Sequence, residues 1–200
     1  MRQESAGVTE ALLESAKAEF LKYGFHNANL RRISADSGVS TNSVYTRFGD
    51  KSGLFTAVVK PAADGLMKIY LDSINEASGS KNAAAATGMG DEGTELVLRY
   101  IYDNFDVFQL IFCHSTGTEY EHYFDELAEI EEKYYKEFVA QYAKEDHRVS
   151  DFFIHVVCRT GWNYIYEVVS HNIPYEEARE FMKSIREYRF AGWGRVLGLF

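Results

Sequence analysis

Proline and cysteine are scarce in this sequence. Two prolines in 200 residues, against an average usage of about 5%, leave few forced breaks and favour long helices over many short strands joined by turns. An all-β fold is disfavoured. The two cysteines, Cys113 and Cys158, have no paired-ligand spacing, which argues against a disulfide framework or a structural metal; both read as reduced core residues. Long apolar runs are missing too. The longest, at 83–86 and 110–113, reach four residues, far short of the ~18 that a membrane span needs. Glu4, Glu10, Glu14 and Glu19 stand where a secretory signal would need an apolar stretch, so a cytoplasmic location is expected. No cofactor is implied.

What is present is the material of an ordinary globular chain, 46% hydrophobic and 26% charged. A formal net charge of -9 argues at first against nucleic acid as a partner, but it is unevenly spread. Residues 1–60 hold eight Lys and Arg against six Asp and Glu, net +2; residues 61–200 hold thirteen against twenty-four, net -11. The chain is electrically two-part, and a division into domains 1–60 and 61–200 is expected.

Helical periodicity runs through both parts. Thr9 reads as an N-cap for a first helix over 9–23, with Leu12, Ala16 and Phe20 on one face and Gly24 as its stop. Asn29 can cap a second over 30–37 and Ser40 a third over 41–48, with Gly38 between them and Gly49 after. Asp50 caps a fourth starting at Lys51, which Pro61 must kink or split. Residues 78–93, small and glycine-rich, read as a long flexible loop. Leu96, Tyr100, Phe105, Phe108 and Phe112 suggest one amphipathic helix, and Phe124, Leu127, Tyr135, Phe138 and Tyr142 another. A helix over 152–171 is apolar nearly all round and must be buried, within the fold or against another subunit. The last helix, from about 175 to 195, is acidic early and basic late. The expected fold is all-α.

Two short helices joined at Gly38, preceded by a longer supporting helix, have the plan of a helix-turn-helix. Ile33, Val39, Val44 and Phe48 supply its interior. The opposite side of the third helix presents Asn42 and Thr46, flanked by Ser43 and Tyr45, with Thr41 at the helix start and no acid among them.

Residues 8–59, and above all SADSGVSTNSVYTRFGDKSGLF from Ser34 to Phe55, resemble the DNA-binding domain of the tetracycline-repressor (TetR) family of bacterial transcription regulators. The resemblance rests on the Gly38-Val39-Ser40 turn, Val44-Tyr45, Phe48, and then Lys51 and Leu54-Phe55. It implies an N-terminal helix-turn-helix domain followed by a larger helical domain for ligand binding and dimerisation. Tyr45 matches a tyrosine that commonly contacts a DNA phosphate in the family, and Lys51 matches a lysine that does likewise, at a helix N-terminus that itself attracts phosphate. Arg31 matches a position used for groove or backbone contacts. Thr41, Asn42, Ser43, Thr46 and Arg47 occupy positions from which bases are read; Asn42 could pair bidentately with adenine and threonine methyls could meet thymine. The sequence departs from the family pattern at Ser34 and Ser37, where alanine is common, at Asn29, where threonine is usual, and at Pro61.

The expected function is a DNA-binding regulator, a repressor that binds a palindromic operator as a homodimer and is released by a small-molecule effector. The helices over 152–171 and 175–195, with Phe152, Val156, Phe181, Ile185 and Tyr188, are the candidate dimer interface. The second domain carries 24 of the 30 aromatic residues, most of them core. Tyr102, Phe105, Phe112 and His114, with Tyr123, Trp162 and Tyr166, are candidate pocket residues. The net -11 would suit a cationic or neutral effector better than an anion. Two alternatives stay open: a helical sensor or adaptor that does not bind DNA specifically and, more remotely, an enzyme, for which Cys113 beside His114 or His155 near Cys158 are the only thiol and base neighbours. No oxyanion loop accompanies them.

Overall fold

The structure, a computed structural model, describes residues 6–79 and 83–199, of which Ala6 and residues 83–91 are described in backbone only. Among the described residues there is no strand. The α-helices are α1 (Ala6–Asn27), α2 (Leu30–Ser37), α3 (Thr41–Phe48), α4 (Lys51–Ser78), α5 (Ala83–Asp103), α6 (Phe105–Cys113), α7 (Tyr123–Tyr142), α8 (Asp151–Ser170) and α9 (Tyr175–Val196), with a 3-10 turn at Glu145–His147. No helix among them is long and apolar enough to cross a membrane.

Four expectations are corrected. Thr9 is not an N-cap: α1 is already helical at Ala6, and the Thr9 hydroxyl instead accepts a hydrogen bond from Arg47 Nε at 3.4 Å. Of the two outcomes expected at Pro61, the split does not occur: α4 runs from Lys51 to Ser78, the exposed proline removing one N–H donor without ending the helix. The expected loop over 78–93 is helical from Ala83, the alanine run at 83–86 supplying the best helix former to offset about 1 kcal/mol for each following glycine. Residues 80–82 lie outside the described ones. The single helix expected across 96–112 is broken at Asn104, whose backbone (φ -125, ψ 34) is non-helical, so that α5 and α6 are separate elements.

The chain forms two compact units. One holds the residues up to Asp64 together with Asn104–Tyr123; the other holds Gly65–Asp103 together with Phe124 onward. In the first, the spaced apolar residues of α1 place Leu12, Ala16 and Phe20 wholly out of solvent with Ile33, Val44, Leu54 and Phe55. The Phe20 and Phe55 rings meet edge to face at 5.0 Å, Phe25 meets Phe55 at 5.4 Å, and Tyr120 closes the cluster from the returning segment. That segment is fastened by the Phe25 N–H donating to the His114 carbonyl at 3.1 Å, Thr56 Oγ1 donating to Glu119 at 2.6 Å and the buried Tyr123 hydroxyl donating to the Ala63 carbonyl at 2.7 Å.

The second unit packs α5, α7, α8, α9 and the C-terminal part of α4 around Leu66, Leu98, Ile101, Leu127, Ile154 and Cys158. In α8 one face is buried, through Ile154, Cys158, Gly161, Trp162, Ile165, Val168 and Val169. The opposite face leaves Phe152 74% and Val156 43% exposed.

Candidate nucleic-acid interface

The helix pair α2–α3 is set by its caps. Asn29 Oδ1 accepts from the Arg31 N–H at 2.8 Å, starting α2. Gly38, at φ 67 and ψ 16, takes the left-handed conformation that an L side chain adopts only at a cost; its N–H donates to Ala35 and the Val39 N–H to Ser34, closing the last turn as a Schellman motif. Ser40 Oγ then accepts from the Ser43 N–H at 3.3 Å to start α3, and Asp50 Oδ1 accepts from Gly53 N–H at 2.8 Å to start α4. Gly53 is required for a different reason: a Cβ there would lie 1.9 Å from the Phe48 carbonyl oxygen. The end of α3 and the start of α4 thus touch backbone to backbone.

An ion pair ties the supporting helix to this motif. Glu19, buried in α1, accepts from the Asn29 N–H and from Arg32 Nε, each at 2.8 Å, and the Arg32 guanidinium lies 4.3 Å from the centre of the Tyr23 ring. Burial alone would raise the Glu19 carboxyl, but the hydrogen bonds from Arg32 and Asn29 and the charges of Arg32 and Lys22 outweigh it and hold the group below its ordinary value. At the replaced alanine position, Ser34 Oγ is buried without a hydrogen-bond partner.

In α3 Val44 is wholly buried and Phe48 half-buried. Asn42, Tyr45 and Thr46 are exposed; Thr41, Ser43 and Arg47 are half-buried. Thr46 Oγ1 donates to the Asn42 carbonyl at 2.8 Å, which orients its methyl. Arg31 is exposed on α2. These positions lie on a short run of two helices and share one unit. Lys51 is placed differently from a freely projecting lysine: its Nζ donates to the carbonyls of His26 at 3.0 Å and Ala28 at 3.3 Å and sits 4.6 Å from the centre of the Phe25 ring. It closes the C-terminal end of α1, where helix carbonyls lack partners, and keeps one N–H for another acceptor.

Residues 12–58 match the family model described as bacterial regulatory proteins, tetR family. A curated relative, the HTH-type transcriptional repressor AcnR of Corynebacterium glutamicum, is 30% identical over 64 residues; the match covers 32% of this chain and 34% of that protein. Among solved structures, a member of the TetR transcriptional regulator family from Streptomyces coelicolor A3 superposes with a TM-score of 0.63 at 19% identity, covering 94% of this chain and 89% of the other. Residues 12–58 are a tetR-family domain, and the fold of the chain is that of TetR-family structures. A transcriptional regulator of the TerR/AcrR family from Aquifex aeolicus VF5 has the same fold, with a TM-score of 0.61 at 14% identity over 89% of this chain and 99% of that one. The chain spans about a third of the length of the curated relative it matches, and the tetR-family match itself ends within α4.

Beyond that TetR-type domain, the second unit contains a cavity of about 170 Å³ lined by α4, α5, α7, α8 and α9. Of the seven candidate pocket residues only Trp162 lines it. Tyr102 donates its hydroxyl to the Ile173 carbonyl at 2.7 Å, and burial pushes that phenol up to about 12. Tyr166 packs edge-on to Phe124. Phe105, Phe112 and His114 belong to the first unit, as does the buried Tyr123. The structure therefore does not bring these seven together. What composition and periodicity passed over is a charged pair in the wall: Arg189 Nη2 donates to Glu131 Oε1 at 2.8 Å, beside Tyr135. Burial pushes Glu131 up; burial also works against the charge of Arg189, but its pairing and hydrogen bond with Glu131 help to raise Arg189 above its ordinary value. A signal existed. Glu131 stands one turn after buried Leu127, and Arg189 seven residues after buried Met182, so both carry charge on the inward stripe of their helices.

The candidate interface residues are arranged more consistently. Phe152, Val156, Phe181 and Tyr188 are exposed on α8 and α9, and Ile185 is half-buried. Burial raises both thiols, Cys113 and Cys158, and His155, the base near Cys158, is hydrogen-bonded to Glu132 at 2.9 Å.

Proposed function

We propose that this chain is a sequence-specific DNA-binding transcriptional repressor of the TetR family, acting as a homodimer on a palindromic operator and released by a small-molecule effector. DNA binding is assigned to residues 1–60, and effector binding and dimerisation to 61–200. The observation that carries the reading is the outward face of α3, where Asn42, Tyr45 and Thr46 are exposed with no acid beside them, while Val44 anchors the helix. Short hydrogen-bonding side chains on a helix of this length suit base edges in a major groove, and Tyr45, 55% exposed, suits a phosphate. Arg31 and Lys51 add charge at the rim, and Thr41, Ser43 and Arg47 complete the contact set. The repressor role is that of the curated relative, the HTH-type transcriptional repressor AcnR.

A single helix-turn-helix reads only a few base pairs, so two copies on fixed spacing are needed. The exposed aromatic residues Phe152 and Tyr188, at 74% and 69%, supply an apolar surface for a second copy. Effector binding acts on DNA affinity through α4, one continuous helix from Lys51 to Ser78, with an expected coupling of about 1–3 kcal/mol.

The test is selection of DNA from a random pool followed by binding isotherms across salt. A palindromic site is expected. Asn42→Ala relaxes preference at one position by about 1–3 kcal/mol, while Lys51→Ala weakens all sequences and flattens the salt slope by about one. Isotherms unchanged by both substitutions would defeat the assignment.

A further inference from the structure

We propose that Phe25 is a positioning residue for the DNA contact of Lys51, its ring holding the lysine ammonium in place before a phosphate arrives. This role rests on the assignment of Lys51 to a phosphate made above.

The backbone brings Phe25 to the lysine by leaving the regular helix. Gly24, at φ 70 and ψ 165, interrupts the helical path inside α1 in a region that L side chains rarely adopt. The Phe25 N–H that follows donates to the His114 carbonyl at 3.1 Å. Its ring is gripped from three sides. It meets Phe55 of α4 edge to face at 5.4 Å and lies 6.1 Å from Phe20 of α1, and a Cβ at Gly117 would stand 3.9 Å from two of its ring carbons. A half-buried ring held by α1, α4 and the turn after α6 has little freedom left.

Lys51 Nζ sits 4.6 Å from the centre of that ring, with two of its three N–H groups given to the carbonyls of His26 and Ala28. Those two bonds alone hold a lysine weakly. Water competes for them at a half-exposed site, where the net value of a hydrogen bond is small, and the flexible four-carbon stem is free to leave. The aromatic face covers one side of the ammonium, keeps water from the carbonyl bonds and attracts the charge through its quadrupole. The third N–H is then left with one direction. A phosphate oxygen placed there meets a charge already oriented, so the cost of ordering a long side chain is met on folding and not on binding DNA.

A second cation in the same unit shows what sets Lys51 apart. Arg32 lies over the Tyr23 ring at 4.3 Å, but its guanidinium is committed to the Glu19 carboxylate. Lys51 has no carboxylate within salt-bridge distance among the described residues; it is held by two neutral carbonyls and a ring, which leave its full charge for an anion. Filling the core does not require this arrangement. Leucine or methionine would pack the space with little loss, whereas attracting a cation needs a ring face.

The test is a double-substitution cycle read in DNA affinity. The probe is a mixed-sequence duplex of about 30 base pairs at low salt, because a phosphate contact does not depend on sequence. Phe25→Leu is expected to weaken binding about five-fold in the otherwise unsubstituted chain, the cost of ordering one long side chain, and to change it by less than about two-fold in the Lys51→Ala background. Phe25→Tyr keeps the ring face and should keep full affinity. Trifluorophenylalanine in place of Phe25 keeps the ring and its packing but weakens its negative face; it should reproduce the loss seen with leucine, and it decides the matter if leucine impairs folding, which circular dichroism melts report. Equal losses in the two backgrounds, full affinity of the fluorinated chain, or a loss with Phe25→Tyr as large as with leucine would each overturn the role of Phe25 while leaving Lys51 a contact. Full affinity of Lys51→Ala would overturn the contact and the role together. No duplex bound by the unsubstituted chain at any salt would overturn the DNA-binding reading itself, and the role of Phe25 with it.

Discussion

Replacing Gly53 by alanine should destabilise the protein, although alanine is the better helix former. Within α4 the exchange gains about 1 kcal/mol of propensity. Against it stands a Cβ placed 1.9 Å from the Phe48 carbonyl oxygen and 3.0 Å from its carbonyl carbon. Both are backbone atoms, so no rotamer change relieves the clash, and α3 and α4 must separate by about 1 Å. Overpacking of this kind costs about 1–3 kcal/mol. The separation also stretches the capping bond from Gly53 N–H to Asp50 Oδ1, worth about 1 kcal/mol. The net loss is about 2 kcal/mol, or about 4–8 °C in Tm for a chain of this size. Gly192→Ala is the internal comparison: the same exchange in α9, where a Cβ meets nothing within 4 Å, should be neutral or stabilising by up to about 1 kcal/mol. Thermal melts of the two variants followed by circular dichroism give the answer. A Gly53→Ala protein as stable as the unsubstituted chain would refute the close approach between these helices.

Glu19→Gln should lower stability, and the deficit should depend on pH. Because the folded carboxyl titrates below its ordinary value of 4.5, its ionisation favours the fold above that pH and loses this contribution as pH falls through and below it. Urea melts of both proteins should therefore converge in acid; a constant difference from pH 7 to pH 3 would contradict the pairing with Arg32. Tyr123→Phe removes the hydroxyl bonded to Ala63 and should cost about 1 kcal/mol, measurable in the same melts; no loss would show that bond to be without effect. Phe152→Glu and Tyr188→Glu, on exposed faces of α8 and α9, should give a monomer in sedimentation equilibrium with unchanged helix content, and an unaltered mass would discard these faces as the dimer contact.

The helix-turn-helix was legible because its determinants are local. Asn29, Gly38, Ser40 and Asp50 each act on residues no more than five positions away, so their meaning survives without knowledge of the rest of the fold. The long helices were less so. Glycines in the segment before Gly93 read as a loop because propensity sums weakly over a short window, and the break at Asn104 has no side-chain capping bond that the sequence could announce. The cavity was least legible. Tyr134 and Tyr135 look like core aromatics on α7, and Arg189 looks like a charge matched to the dipole of α9. Only the approach of these two helices turns Glu131 and Arg189 into a buried pair. Such information lies in side chains 58 positions apart, beyond the reach of periodicity.

The first unit is discontinuous, and this bears on how the protein is made. Its α1–α3 portion can form from neighbouring residues, but the Phe25 bond to His114 closes a loop of 89 residues. Loop-closure entropy grows only as the logarithm of length, about 0.6 kcal/mol per doubling, so the equilibrium cost of the insertion is modest. The kinetic cost is larger, because contacts at high sequence separation slow folding. During synthesis the N-terminal helices emerge early yet must wait for residues 104–123 before Phe55 acquires Tyr120. A fragment cut after α4 would lack that segment altogether and leave the aromatic cluster open on one side. The first compact unit is therefore complete not in the first sixty residues but only in a length that reaches Tyr123.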